Sequence, residues 1–376
     1  MARASVDGSS GTRVGMEPKA LWLELTEHCN LCCPHCLVRR PDQPGYELDL
    51  RFYRVLLAEA TRIGFRSTTF TGGEPLLHSR FHDIYEHAHR SGLSITVNTN
   101  GTCISTEIAQ LWNRFRPRAV KISFYGHDES TYDTFVGRAG SHRQFEKGIA
   151  LLRALGVPFR ASVAPHPQLL HRLDAIRKYA RALGCSGPVN VAWNMLLHTR
   201  DGRISEQLRA MRLDPERAAR AKMSFTDESL QDLRAMMDVS NQSAAENLRI
   251  FHCAAAKDAF CVSAFGLLQP CRLLRSSGFT YDLKKGSLLE GVLRLHFLVM
   301  NATTRNKKIS ETCGRCILRP ACSSCPATSW MESGVVDEPV EYYCEIAHLQ
   351  AGWLGILRPG EKGWAVQVGS RSKRAQ

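Results

Sequence analysis

Apolar runs rich in β-branched residues alternate with stretches of helical periodicity from Leu21 onward. Leu21 to Thr26 is followed by Leu50 to Ile63, Ser67 to Phe70 by Arg80 to Arg90, and Leu93 to Val97 by Thr106 to Phe115. Val120 to Phe124 then precedes Arg143 to Leu155, Phe159 to Val163 precedes Leu169 to Leu183, and Val189 to Trp193 ends the series. Six strands separated by single helices predict parallel pairing through right-handed crossovers. The expected class is α/β, a curved sheet closing into a partial (β/α)6 barrel. Chemistry in such folds sits at the C-terminal ends of the strands. A cysteine-rich loop, Gly72-Gly73-Glu74-Pro75, Asn98-Thr99-Asn100-Gly101 and Ser123 all fall at such ends.

Composition divides the chain. Residues 1–18 are small and polar, an expected disordered N-terminus without the apolar core of an export signal. Residues 19–200 carry the barrel pattern. Residues 201–250 are polar and helix-forming, with RLDPERAARAKM placing Pro215 where a first helical turn tolerates it, and read as a bridge. Residues 251–348 contain eight cysteines, the mark of a metal-built domain, and 349–376 read as a C-terminal tail. No 18-residue apolar run occurs, which argues against a membrane span. Fourteen cysteines without an export signal point to a reducing cytoplasm, where thiolates persist as metal ligands.

The first cysteines are Cys29, Cys33 and Cys36 in LELTEHCNLCCPHC. Three thiolates leave one iron of a cubic [4Fe-4S] cluster without a protein ligand. Four make an electron carrier; three leave an iron open to a small molecule. Closely spaced cysteines also suit structural zinc, the competing reading.

The CX3CX2C spacing, followed in order by Gly72-Gly73-Glu74-Pro75, Asn98-Thr99-Asn100-Gly101 and Ser123, resembles the radical S-adenosylmethionine (radical SAM) superfamily. The resemblance implies that the amino and carboxylate groups of SAM chelate the open iron. It implies reductive cleavage of the C5′–S bond, an electron from a flavodoxin-type or ferredoxin-type donor, and hydrogen abstraction by a 5′-deoxyadenosyl radical. It further implies that Gly72 and Gly73 let backbone approach the methionine end, that Glu74 accepts from its ammonium, and that Pro75, Thr99 and Asn100 complete that rim. By the same resemblance Ser123 contacts ribose or carboxylate, His35 packs near adenine, and Arg138 partners the SAM carboxylate. His166, Asn194 and Arg200, near the ends of strands five and six, are candidate substrate contacts.

The later cysteines, Cys253-X12-Gly266-X4-Cys271 and Cys313-X2-Cys316-X5-Cys322-X2-Cys325 with a late Cys344, resemble the SPASM extension behind many radical SAM domains. The resemblance implies two auxiliary [4Fe-4S] clusters. Cys253, Cys261, Cys271 and Cys325 would hold the one nearer the substrate, and Cys313, Cys316, Cys322 and Cys344 the outer one. Two residues separate Cys322 from Cys325 where the family has three, which leaves Cys325 the least secure ligand. A pair of zinc sites is the alternative. Three cysteines remain: Cys32, read as a buried apolar thiol, and Cys103 and Cys185, read as core or loop thiols. Three clusters would lower the formal charge of +13 to about +8. The remaining basic residues are scattered, without the aromatic interleaving of a single-strand binder, so no nucleic-acid partner is expected.

SPASM proteins as a class mostly modify ribosomally made peptides, and SFYGHDESTYDTFVGR is similar to that group. A leader-binding domain would then come from a separate protein. Oxidation, epimerisation or decarboxylation of a sugar or aminocyclitol is the alternative substrate class. Sulfatase maturation is disfavoured, because that group has an aspartate after the cysteine of the GX4C segment and this chain has Arg272. A non-enzymatic zinc protein binding nucleic acid is the remote alternative.

Overall fold

The structure is a computed structural model that describes residues 19–38, 45–164, 166–191, 206–223, 234 and 248–366. Strands β1 (Ala20–Thr26), β2 (Ser67–Gly72), β3 (Ser94–Thr99), β4 (Ala119–Ser123), β5 (Phe159–Val163) and β6 (Asn190–Val191) pair in parallel, each with its successor. Between them run α1 (Leu50–Ile63), α2 (Phe81–Arg90), α3 (Thr106–Arg114), α4 (Glu129–Val136), α5 (Ser141–Ala154), α6 (Pro167–Leu170) and α7 (Leu173–Ala182). The mixed α/β architecture with a parallel central sheet is the one the alternating pattern predicts.

Alternation within each strand builds two faces. Leu21, Leu23, Leu25, Phe70, Val97, Val120 and Ile122 are fully buried against the helices, where Tyr53, Tyr85, Trp112 and Phe145 meet them. Helix α1 shows how the local code works. The Asp49 side chain caps it by accepting from the Phe52 amide at 2.8 Å, Tyr53, Leu56, Leu57 and Ala60 face the sheet, and the Tyr53 hydroxyl donates to the Leu25 carbonyl at 3.0 Å. The opposite, concave face is polar. Glu24 on β1 pairs with Thr71, Asn98 on β3 with Lys121, and Lys121 with Arg160 on β5, so one row of polar and charged side chains crosses the barrel interior.

Three departures from the expected pattern bear on the site. Two helices, not one, follow β4. The extra one, α4, is short, is capped by Asp128 accepting from the Thr131 amide, and buries Tyr132, Phe135 and Val136. The expected helix over Leu169 to Leu183 breaks at His171 and Arg172 into α6 and α7. The sheet also continues beyond six strands. β7 (Ala259–Val262) lies parallel to β1, and β8 (Leu267–Gln269) and β9 (Tyr281–Asp282) extend it antiparallel, giving the order β6-β5-β4-β3-β2-β1-β7-β8-β9. The cysteine-rich region thus shares hydrogen bonds with the barrel.

Helices α8 (Glu206–Met211) and α9 (Pro215–Met223) are the described part of the bridge, with Pro215 in the first turn. Helices α10 (Leu288–Asn301), α11 (Pro326–Ser333) and α12 (Glu341–Trp353) complete the C-terminal region. The last of these runs past residue 349, and the chain after it folds back: Leu357 is buried and the Trp364 ring meets His348 at 5.2 Å. Residues 349–366 are therefore packed structure and not a tail. Residues 1–18, 192 and 193 of the sixth strand, most of 224–247 and 367–376 lie outside the described residues. No helix among the described residues is long and apolar enough to cross a membrane.

Candidate active site

The loop after β1 carries Cys29, Cys33 and Cys36, all partly buried. Leu31 anchors it in the core, the Cys32 amide donates to the Val136 carbonyl of α4 at 2.8 Å, and the Cys36 amide donates to the Cys33 carbonyl at 3.1 Å. Burial pushes the Cys29 thiol up to about 12, with Glu74, Cys36 and Cys103 adding to the rise and the Leu31 amide opposing it. Cys33 is pushed higher still by burial and by the charges of Cys36 and Cys29, while a hydrogen bond with Tyr125 works the other way. Buried thiolates so close together require a cationic centre to hold them. Soft sulfur donors fit an iron–sulfur cluster.

Gly72 and Gly73 first serve the chain's own backbone. Gly72 has φ +140°, and a Cβ there would lie 2.4 Å from the Thr26 carbonyl oxygen; one on Gly73 would lie 2.3 Å from that of His28. The Gly73 and Glu74 amides donate to those same two carbonyls, each at 2.7 Å. The β2 rim is thereby laced to the cysteine loop, which the glycine motif alone did not disclose. Gly73→Ala is accordingly expected to cost about 1–3 kcal/mol by overpacking and to lower iron retention after reconstitution, measured by urea unfolding and iron assay.

Glu74 is fully buried, and its carboxylate accepts from Thr99 Oγ1 at 2.7 Å, the Asn100 amide at 2.8 Å and the Leu76 amide at 3.2 Å. Burial raises its pKa to about 7 against those three hydrogen bonds. Pro75 opens the short 3-10 turn Pro75–Leu77 that presents the Leu76 amide. Asn100 Nδ2 donates to Asn30 Oδ1 at 2.9 Å, and Arg138 donates to the Asn30 carbonyl at 3.1 Å, so both reach the cysteine loop. Arg138 itself is exposed.

A ring cluster flanks Cys33. His35 lies 5.1 Å from Phe135 and 5.7 Å from Tyr125, and His166 stacks on Phe135 at 4.4 Å. Burial lowers both histidines to about 4, His166 adding to the effect on His35. His35 Nδ1 and both ring nitrogens of His166 are buried without partners. Ser123 is hydrogen-bonded to Tyr125. Tyr125 and Phe135 are the residues that sequence reasoning missed here. Both belong to SFYGHDESTYDTFVGR, and the pairing of Tyr132 with Phe135 and Val136 three and four residues on was the available sign of the helix that delivers Phe135. Asn194 and Arg200 lie outside the described residues.

The C-terminal cysteines form two neighbourhoods that share Cys325. A cavity of about 250 Å³ is lined by Cys313, Cys316, Cys322, Cys325 and Cys344, with Lys308, Arg319 and His348. Burial raises Cys316 to about 11 and Cys322 to about 12, each pushed further by the other thiolates of Cys313 and Cys344. Burial likewise raises Cys271 to about 11, with Cys325 and Cys253 as its charged neighbours. Cys261 is buried on β7, in register with Trp22 of β1. Of the remaining thiols, Cys32 is exposed, not buried as expected. Cys103 feels the charge of Glu74, and Cys185 follows α7, with its amide donating to the Ala180 carbonyl at 3.1 Å.

Residues 23–182 match the family described as the Radical SAM superfamily. They form a radical SAM domain. Such a domain carries a [4Fe-4S] cluster and binds SAM, and the rim just described is where this chain gathers three thiols and Glu74. The AdoMet-dependent heme synthase of Methanosarcina barkeri (strain Fusaro / DSM 804) is 25% identical over 368 residues, 92% of this chain and 98% of the relative. The AdoMet-dependent heme synthase of Nitratidesulfovibrio vulgaris is 29% identical over 188 residues, half of each chain. The PqqA peptide cyclase of Rhodopseudomonas palustris is 32% identical over 169 residues, 44% of each. This chain therefore spans about half the length of the latter two relatives. Among solved structures, native anSMEcpe with bound AdoMet superposes with a TM-score of 0.68 at 14% identity, over 90% of this chain and 97% of that one. Streptococcus suis SuiB bound to S-adenosylmethionine gives 0.65 at 16%, over 85% and 75%. The radical SAM domain and the C-terminal region thus share one fold with these enzymes.

Proposed function

We propose that this chain uses radical SAM chemistry to modify a ribosomally made peptide. The observation that carries the chemistry is the convergence, on one strand rim, of three thiols with the buried carboxylate of Glu74. Cys29, Cys33 and Cys36 would hold a [4Fe-4S] cluster, which when bound would supply the electron for reductive cleavage of SAM and so for hydrogen abstraction from a substrate C–H bond. Glu74 receives the ammonium of SAM; its carboxyl, held near 7 by burial, ionises when that cation arrives. His35, with Phe135 and Tyr125 against it, offers adenine a flat ring surface, and Ser123 and Arg138 would serve the ribose and carboxylate. Cys253, Cys261, Cys271 and Cys325 would hold one auxiliary [4Fe-4S] cluster, and Cys313, Cys316, Cys322 and Cys344 a second. A flavodoxin-type or ferredoxin-type protein would donate electrons, and a separate protein would bind a peptide leader.

The likeness to PqqA peptide cyclase supports the peptide reading. The near full-length likeness to the Methanosarcina heme synthase favours a second one, in which the substrate is a tetrapyrrole. The experiment is 5′-deoxyadenosine formation by reduced, reconstituted protein with SAM and host extract, untreated or digested with protease and then freed of it. Stimulation lost on digestion is the expected result. Stimulation that survives digestion overturns the peptide reading in favour of a small molecule, with added porphyrin separating a tetrapyrrole from a sugar or aminocyclitol.

A further inference from the structure

The concave face of the barrel carries more positive charge than its neighbours neutralise. Lys121 of β4 stands opposite Arg160 of β5, on strands about 4.8 Å apart. Burial lowers the Lys121 pKa, and the like charges of Arg160 and, just before β4, Arg118 add to the effect. Neither Lys121 nor Arg160 has a carboxylate partner among the described residues. The acid in the same row, Glu24, is committed to Arg275 at 2.5 Å. Asn98, next to Lys121 in the row, has its Oδ1 buried without a partner.

Lys121 is half-buried and Arg160, opposite it, is exposed, an arrangement of like charges that an arriving carboxylate would stabilise. The arrangement is not required by packing, since Val120 and Ile122 make the core contacts of β4 while Lys121 points the other way. Lys121 also lies two residues below Ser123, on the face that bears Ser123 at the rim, about 7 Å deeper into the barrel. A group held there would be a substrate's far end, with its reacting carbon nearer the rim.

We propose that Lys121 and Arg160 form a carboxylate-binding subsite inside the barrel, and that the substrate carries a carboxylate which docks there during reaction. This rests on the radical SAM reading of the site and narrows it. An acidic side chain of a peptide and a propionate of a tetrapyrrole share this chemistry.

The test is calorimetric titration of the reconstituted, SAM-loaded protein. The probes are a seven-residue peptide with one central glutamate and its glutamine twin, and a porphyrin with free propionates and its methyl ester. At least one acid is expected to bind about tenfold tighter than its neutral twin. That preference disappears in Lys121→Met or Arg160→Met and survives in Lys121→Arg, and whichever acid shows it names the source of the carboxylate. Equal binding of both acids and their neutral twins, absence of binding by all four, or a preference that persists in both methionine variants overturns the subsite. Substrate-free 5′-deoxyadenosine formation by the unmodified protein is measured alongside. Its absence defeats the functional reading itself, whereas its presence without acid preference defeats only the subsite.

Discussion

Cys33→Ala is expected to abolish 5′-deoxyadenosine formation and to lower the iron content of the anaerobically reconstituted protein from the proposed ~12 to about 8 atoms per chain. The expectation follows from the position of this thiol. Cys33 lies near both Cys29 and Cys36, and its sulfur is also hydrogen-bonded to Tyr125, so no neighbouring side chain can take its place. Cys32, one residue earlier, is exposed. Two thiolates do not retain a cubane, and the eight irons expected to remain would belong to the two proposed auxiliary clusters. Cys185→Ala, away from the rim after α7, leaves both readings unchanged and serves as control. A starting content of four irons with two zincs would defeat the auxiliary-cluster assignment, and an unchanged iron loss in Cys185→Ala would defeat the claim of site specificity.

Glu24→Leu is expected to destabilise the protein by about 3–5 kcal/mol in urea unfolding, because it removes the buried carboxylate that pairs with the Arg275 guanidinium. The two side chains meet at 2.5 Å with relative exposures of 2% for Glu24 and 13% for Arg275. The acid comes from β1 and the base from the segment just after Cys271, so the pair joins the barrel to the C-terminal region across 251 positions of sequence. Replacing both by leucine recovers most of the loss, since a well-packed apolar pair avoids the desolvation cost of two ions. A single variant as stable as the original would show that the guanidinium escapes to water and that the pair fastens nothing.

The barrel was legible because its strands obey a period of two over short β-branched runs and its rim motifs combine glycines, amides and thiols that packing alone does not call for. The three-cysteine spacing and Glu74 were singled out by resemblance to a known family. Other features depended on neighbours distant in sequence. Ala259–Val262 is only four residues long and contains a cysteine, so its role as a strand becomes visible only when β1 lies beside it. The short α4 turns on the burial of Tyr132, Phe135 and Val136, a pattern too brief to stand out. The closest neighbour of Gly73, the His28 carbonyl, sits across a strand boundary that no local motif specifies. The unneutralised charge of Lys121 emerges only from its register with Arg160.

The parallel pairing of β7 with β1 bears on how such a protein can have been assembled. A cysteine-rich segment joined to a barrel by a flexible tether could be gained, lost or exchanged as an independent piece. Here the segment supplies the strand that covers an edge of β1, in register from Ala20 against Ala259 to Leu23 against Val262. Parting the two would bare backbone donors and acceptors beside the strand that leads into the cysteine loop. Substitutions along β1 must therefore satisfy the barrel and the C-terminal region at once.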